Sequence, residues 1–303
     1  MKRVSIIIVT YNSEKEIYDC VRSIQQYADI PSEEIELIIV DNNSQHTDLM
    51  FEKLKEVWGE DIVLIKNTHN GGYGQGNNVG IRHSHAPIIM IMNPDVRLHK
   101  RIFRNALSFF NSNQNTVMLG MTQLNENGSI GRSTAWTNRV HPYIAEPLRY
   151  ITGKLNIYLK KYMYICGACF FVRKSTMLQI GLYDENIFMY CEEDDIHYRM
   201  LKLKNADIKY SRSLSYVHLH PIITDYANFS HAWLECSLRS LMYMDKRDGI
   251  ETMKTLDWAI KRNNISIWKE QIKMLIGVGD IARYQYYRKW KNIIIEKYLT
   301  TNK

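Results

Sequence analysis

Four groups of residues in this 303-residue chain have types and spacings that could do chemistry. The first is Asp95, which follows the unbroken apolar run Ile88-Ile-Met-Ile-Met92 and the pair Asn93-Pro94. A run without alternation suits a central parallel strand covered on both faces. Pro94 cannot donate to a sheet ladder, so the strand should stop there and present Asp95 at its carboxyl end, the edge at which open α/β sheets bind ligands. The second is Glu192-Glu193-Asp194-Asp195. Four adjacent acids repel one another unless a helix N-terminus, a metal or a bound cation compensates them, or unless they simply form a solvated helix start. The third is His218 and His220, which an extended backbone places on one side of a strand. The fourth is Asn70-Gly-Gly-Tyr-Gly-Gln-Gly-Asn-Asn-Val-Gly80. Glycines let a backbone approach a phosphate or ribose, and a helix predicted over 77–83 points its N-terminus the same way, although a flexible loop fits the composition too. The Gly-x-Gly-x-x-Gly spacing does not follow the first strand, which argues against a nicotinamide dinucleotide site.

The elements that must carry these groups follow from periodicity. Val4 to Thr10 reads as a strand, Tyr11-Asn12-Ser13 as a turn with Ser13 as helix N-cap, and Ile17, Cys20, Val21 and Ile24 fall at helical spacing. Strands over 35–40 and 62–66 with a helix over 47–58 between them complete a βαβαβ alternation, which implies a parallel sheet with right-handed crossovers. Beyond Asp95 the pattern predicts a helix over 100–110, a strand over 117–121, a hairpin turn at Asn125-Glu-Asn-Gly128, one continuous strand over 164–173 and a helix over 174–180. Residues 130 to 160 have no clean period and read as loop and short helix. After residue 225 the pattern turns helical.

Composition narrows the classes. Hydrophobic content of 45% and charged content of 23% are those of a soluble globular protein. No apolar run approaches the roughly 20 residues that span a bilayer. Met1-Lys-Arg before Val4 has the charge of a signal peptide but too short an apolar region, so it reads as the lead into the first strand. Five cysteines leave one without a mate in any disulfide scheme, which points to a reducing, cytoplasmic compartment. Cys166-Gly-Ala-Cys169 has the spacing of a redox or zinc pair but no second pair to complete it. The net charge of +7 calls for anionic partners: nucleotide phosphates, nucleic acid or membrane lipid.

Taken in order, Val9-Thr-Tyr-Asn12, Val40-Asp-Asn-Asn-Ser44, Asn70-Gly-Gly-Tyr-Gly74, Asn93-Pro-Asp95, Gly167-Ala-Cys169 and Gly181-Leu-Tyr-Asp-Glu185 through Glu192-Glu193 resemble the family-2 inverting glycosyltransferases. The likeness runs from about residue 3 to residue 221 and is greatest to the branch that includes bacterial rhamnosyltransferase-like proteins. It implies an α/β fold of the GT-A type, with a mostly parallel sheet flanked by helices. The catalytic domain would cover residues 1–225, with a nucleotide-binding half over about 1–98 and an acceptor half over about 99–225. A helical extension would follow over 226–303. The resemblance places Thr10, Tyr11, Asn12, Asp41, Asn43, Gly72, Tyr73, Asn77 and Asn93 around the nucleotide, with Asp41 receiving the base. It places Gly167, Ala168 and Tyr190 beside the donor sugar and acceptor.

Cleaving a sugar from a nucleoside diphosphate leaves charge that a divalent cation can stabilise as a Lewis acid. The family's Asp-x-Asp triplet is Asn93-Pro94-Asp95 here, so Asp95 is its one carboxylate. A family histidine matches His218, and oxygen ligands favour Mg²⁺ or Mn²⁺. Inversion by single displacement needs one base, and the family's Glu-Asp pair matches Glu192-Glu193. Glu193 stands at the base position, with Glu192 and Asp195 as alternatives. The implied partners are a UDP- or dTDP-sugar and a saccharide or lipid-linked saccharide acceptor, as in bacterial surface polysaccharide synthesis, and nucleic acid is set aside. Gln285-Tyr-Tyr-Arg-Lys-Trp290 is one residue longer than the Gln-x-x-Arg-Trp of membrane-embedded processive synthases, which favours single-sugar transfer. The basic and aromatic stretch 258–303 reads either as packing on the catalytic domain or a second subunit, or as a peripheral contact with the inner membrane face. A nucleotide-sugar-binding protein without turnover is the alternative from another class.

Overall fold

The computed structural model describes residues 1–219 and 232–301. From the N-terminus the chain runs β1 (Val4–Thr10), α1 (Glu14–Tyr27), β2 (Ile35–Asp41), α2 (Thr47–Trp58), β3 (Val63–Lys66), α3 (Gly72–His83), β4 (Ile88–Met92), β5 (Val96–Arg97), α4 (Phe103–Ser112), β6 (Thr116–Leu124) and β7 (Thr134–Trp136). It continues through α5 (Pro142–Lys154), β8 (Met163–Ile165), β9 (Cys169–Arg173), α6 (Lys174–Gln179), α7 (Glu192–Leu201) and β10 (Asp207–His218), and then α8 (Ala232–Asp248), α9 (Thr252–Leu275) and α10 (Ile281–Thr301). The chain divides into two compact units. The first is Met1–Ala135, Asn156–Phe188 and Glu192–His220, and the second is Trp136–Leu155, Met189–Cys191 and Pro221–Lys303.

The first unit is built on an eight-stranded sheet in the order β3-β2-β1-β4-β9-β6-β10-β5. β1 lies parallel to β2 and β4, β2 to β3, and β10 to β6. β9 enters antiparallel between β4 and β6, and β5 closes the far edge antiparallel to β10. The apolar runs are unbroken because both faces are covered. Ile6 and Ile8 pack with residues of α1, α2 and α4, while Ile7 packs on the other face with Ile81 of α3 and Ile196 and Met200 of α7. Full burial of each such side chain contributes about 1.5–3 kcal/mol.

Three local expectations are corrected. Ser13 is the N-cap of α1 and its carbonyl accepts from Ile17 N at 3.0 Å, but its hydroxyl turns back to Tyr11 rather than capping. The glycine-dense segment is a helix and not a loop, since α3 starts at Gly72, five residues before the predicted 77. Its glycines serve close packing: a Cβ on Gly80 would strike Ile7 Cγ2, and one on Gly76 would lie 2.7 Å from Val9 Cγ1. The helix therefore presses on β1 more closely than any side chain permits. The predicted strand over 164–173 is broken into β8 and β9 at Cys166-Gly167-Ala168, for a reason that lies in the site.

The second unit joins α5 to the C-terminal helices. Arg139 pairs with Asp248 at 3.1 Å, Arg262 donates to Asn138 Oδ1 at 2.5 Å, and the rings of His141 and Trp258 meet at 5.2 Å. Leu238, Leu256 and Ile294 form its small apolar core.

Candidate active site

The polar clusters of the first unit lie where its parallel strands end. Thr10 and Asp41 are register partners at the ends of β1 and β2. The Asp41 carboxylate is fully buried and accepts from Thr10 Oγ1 (2.8 Å), Ser44 N (2.8 Å), Ser44 Oγ (2.6 Å) and Thr47 Oγ1 (2.6 Å). These four bonds lock the two loops together. Asn12 and Asn43 take left-handed backbone (φ 51° and 65°), which asparagine tolerates, and Tyr11 is left 53% exposed beside them. Asn42, which the sequence reading passed over, ties this edge to α3. Its Nδ2 donates to Gly72 O at 3.0 Å, and its Oδ1 accepts from Asn67 Nδ2 at 2.7 Å.

Asp95 stands past the end of β4, as the Pro94 argument requires. The antiparallel pairing of β5 with β10 sets His218 opposite Val96 and brings its Nε2 to 3.1 Å from Asp95 Oδ2. His220 lies outside the described residues. Among the described residues no three His, Cys, Asp or Glu groups converge as a closed metal cage. One carboxylate and one imidazole fit an Mg²⁺ or Mn²⁺ ion that takes its other ligands from a diphosphate and water, the usual habit of Mg²⁺ at phosphate sites. Asn93 Oδ1, two residues before Asp95, is buried and has no hydrogen-bond partner among the described residues.

The acids open α7, all four in its first turn, so the helix N-terminus compensates them. They are not equivalent. Glu193 Oε1 accepts from Gly167 N at 3.0 Å. A Cβ on Gly167 would collide with that carboxylate, which is why this position is glycine and why β8 and β9 are separated here. Asn93 N donates to Ala168 O at 2.8 Å, and Tyr73 Oη to Gly167 O at 2.8 Å. The break in the strand is thus clasped between the Asp95 turn and Glu193. Burial raises the Glu193 carboxyl above the ordinary range, with the Gly167 amide and Arg132 pulling it back. Burial and then the Glu193 charge hold Glu192 well above its ordinary value, and Glu192 Oε2 has no hydrogen-bond partner among the described residues. The Tyr183 hydroxyl is likewise buried without a partner, and the Tyr183 ring meets that of Tyr73 edge-on at 6.0 Å. Asn77 donates Nδ2 to Tyr73 O at 2.9 Å, and its Oδ1 is also left without a partner.

Asp195 is placed differently. It is fully buried and accepts from Arg199 Nη2 at 2.5 Å and Nε at 2.9 Å, while Arg199 Nη1 donates to Ile180 O and Leu182 O at 2.5 and 2.7 Å. The pair clamps the Gly181-Leu182 turn, where both residues have positive φ (82° and 67°). Asp195→Asn is expected to cost about 3 kcal/mol by leaving the Arg199 guanidinium without its counter-charge, read as a fall in the denaturant midpoint. Loss of transfer with unchanged stability would instead make Asp195 the base.

Two residues that periodicity gave no reason to select also belong here. Arg132, in the aperiodic stretch after the Gly128 turn, hydrogen-bonds the Tyr164 side chain and acts electrostatically on Glu193. Asn78 grips the loop before α7, accepting from Tyr183 N and donating to Tyr183 O, each at 2.9 Å. Tyr190, by contrast, lies in the Met189–Cys191 segment of the second unit, with φ 67°.

A mostly parallel sheet with a carboxylate turn after β4 and a paired-acid helix start is the arrangement of the GT-A glycosyltransferases. The Glycosyl transferase family 2 profile matches residues 5–180, and the chain belongs to that family. It is 28% identical over 224 residues to the low-salt glycan biosynthesis hexosyltransferase Agl10 of Haloferax volcanii, a match covering 72% of this chain and 67% of that one. It is 28% identical over 120 residues to the poly(ribitol-phosphate) beta-N-acetylglucosaminyltransferase TarS of Staphylococcus aureus, across 39% of this chain but 21% of TarS. Among solved structures, the mannosyltransferase PcManGT of Pyrobaculum calidifontis in complex with GDP-Man and Mn²⁺ superposes with TM-score 0.59 at 14% identity, over 98% of this chain and 85% of that one. TarS 1–349 in complex with UDP gives 0.53 at 14% identity, over 97% and 92%. At these identities the superpositions establish the fold.

Proposed function

We propose that this protein transfers one hexosyl or deoxyhexosyl residue, rhamnose included, from a UDP- or dTDP-sugar to a saccharide or lipid-linked saccharide acceptor, with inversion and with a divalent ion. The observation that carries this reading is the clasp at Gly167. One short segment is bonded on one side to the turn that bears Asp95 and on the other to Glu193. A leaving diphosphate and an attacking hydroxyl need these two functions close together and held rigidly. The names of the relatives, which include glycan and teichoic acid transferases, agree with an acceptor of the surface-glycan class.

In this reading Glu193 takes the proton of the acceptor hydroxyl as its oxygen bonds to the anomeric carbon. The bond from that carbon to the diphosphate oxygen breaks, and its electrons leave with the diphosphate. Burial, with the Asp194 charge beside it, keeps the proton affinity of Glu193 high enough for the task. Asp95 and His218 would hold the ion, which supplies charge neutralisation at the leaving diphosphate. Thr10, Tyr11, Asn12, Asp41 and Asn43 line the nucleoside end. A base reaching Asp41 must replace one of its four hydrogen bonds, and a threonine hydroxyl rotates away at least cost.

The test is a thermal-shift panel of nucleotide sugars with and without Mn²⁺, followed by release of nucleoside diphosphate on adding acceptor. A donor at about 100 times its dissociation constant should add about 2.7 kcal/mol. Mn²⁺-dependent stabilisation followed by sugar release is the expected result. Donor binding without release on any acceptor would make this a binding protein, and no stabilisation by any donor would overturn the reading.

A further inference from the structure

In the second unit α5 is turned inside out. Its buried positions include Glu146, which pairs with Arg149 at 2.8 Å and lies 3.8 Å from Lys269 of α9. Ile144, Leu148, Ile151 and Leu155, one helical stripe, face outward instead. α9 repeats the inversion at its C-terminal end. Glu270 is buried and paired with Lys273 at 2.6 Å, while Trp268, Ile272 and Leu275 are exposed. The His141–Trp258 and Glu146–Lys269 contacts pack α5 against α9, and each helix turns an apolar stripe outward.

The turn after α9 extends its stripe. Leu275 is 87% exposed, Ile276 69%, Val278 68% and Ile281 67%, at a place where turns normally carry polar residues. A helix pair that buries its glutamates and exposes its isoleucines is not arranged for water on that side. No helix among the described residues is long and apolar enough to cross a membrane.

Charge selects the occupant. Of the chain's 39 Lys and Arg and 32 Asp and Glu, the second unit holds 17 and 10 and the first holds 22 of each, so the whole excess of +7 sits in the unit with the apolar tip. Lys154 is exposed and stands 5.0 Å over the Tyr150 ring on α5, whereas Lys269 and Lys273 are held by the buried Glu146 and Glu270. Two copies meeting through this face would bring like charges together. An anionic lipid surface takes the cations at its headgroups and the aromatic and aliphatic side chains at its acyl boundary.

We propose that the face formed by the outward stripes of α5 and α9 and the turn Ile276 to Ile281 seats in an anionic bilayer surface, holding the protein there peripherally. The inference does not depend on the catalytic reading. The full chain is sedimented with phosphatidylcholine vesicles with or without phosphatidylglycerol, at low and high salt, beside the variant L275D/I276D. Both side chains are exposed, so the variant should keep the wild-type melting temperature. Wild type should pellet with the anionic vesicles at low salt and release at high salt, and the variant should partition about 10- to 100-fold less, the worth of inserting one or two large aliphatic side chains. Wild type that ignores anionic vesicles, or a variant that pellets equally, overturns the proposal. So does a wild-type dimer that the variant converts to monomer without any change in vesicle binding, since the face would then be a self-interface.

Discussion

Glu193→Gln is expected to leave donor binding intact and to lower sugar transfer by about 100- to 10,000-fold, the usual worth of a general base. The substitution keeps an oxygen that can accept from Gly167 N, now 3.0 Å from Glu193 Oε1, so the clasp should survive and only the proton acceptor is lost. The pH profile carries the same information. Burial raises the Glu193 carboxyl above the ordinary 4.5, so the acid limb of kcat/KM should fall above that value. Stability follows with the sign fixed by linkage. Between the ordinary carboxyl value and the raised folded value the native state binds more protons than the unfolded chain, so stability declines as pH climbs through that window. Glu193→Gln and Glu192→Gln should each remove part of that decline and melt higher than wild type at neutral pH. An enzyme in which Glu192→Gln abolishes transfer while Glu193→Gln works normally has its base one residue earlier.

Asp95→Ala should cut the Mn²⁺-dependent part of donor affinity by about 100-fold. Charge stabilisation by a bound ion at a phosphoryl oxygen is worth several kcal/mol, and about 1.4 kcal/mol is a factor of ten. His218, 3.1 Å from the carboxylate, would remain as a single weak ligand, and one imidazole does not hold Mg²⁺ or Mn²⁺ firmly. Asp95→Asn separates charge from shape, since it preserves the turn after Pro94 and removes the anion. Calorimetric titration of nucleoside diphosphate with and without Mn²⁺ is the measurement. If the ion strengthens binding equally in wild type and Asp95→Ala, Asp95 does not hold it.

The amino-acid sequence alone determined the strands, because a strand covered on both faces leaves a purely local signature. Val4–Thr10, Ile35–Asp41 and Ile88–Met92 are apolar from end to end, and their polar terminations put Thr10, Asp41 and Asp95 at one sheet edge. The start of α7 was legible for a similar reason, since adjacent acids are tolerated where a helix dipole meets them. Other features depended on atoms distant in sequence. Glycine disfavours helix locally, so the helix reads as starting only at Asn77 until β1 lies close enough to residues 72–76 to demand the missing side chains. Tyr164–Arg173 reads as one strand until Glu193, far along the chain, needs the space at Gly167. Glu193 and Asp195 are alike in sequence, and only Gly167 N beside one and Arg199 beside the other tell them apart. The outward isoleucines of α5 and α9 have ordinary helical spacing, and which side of a helix faces inward is decided by what it packs against.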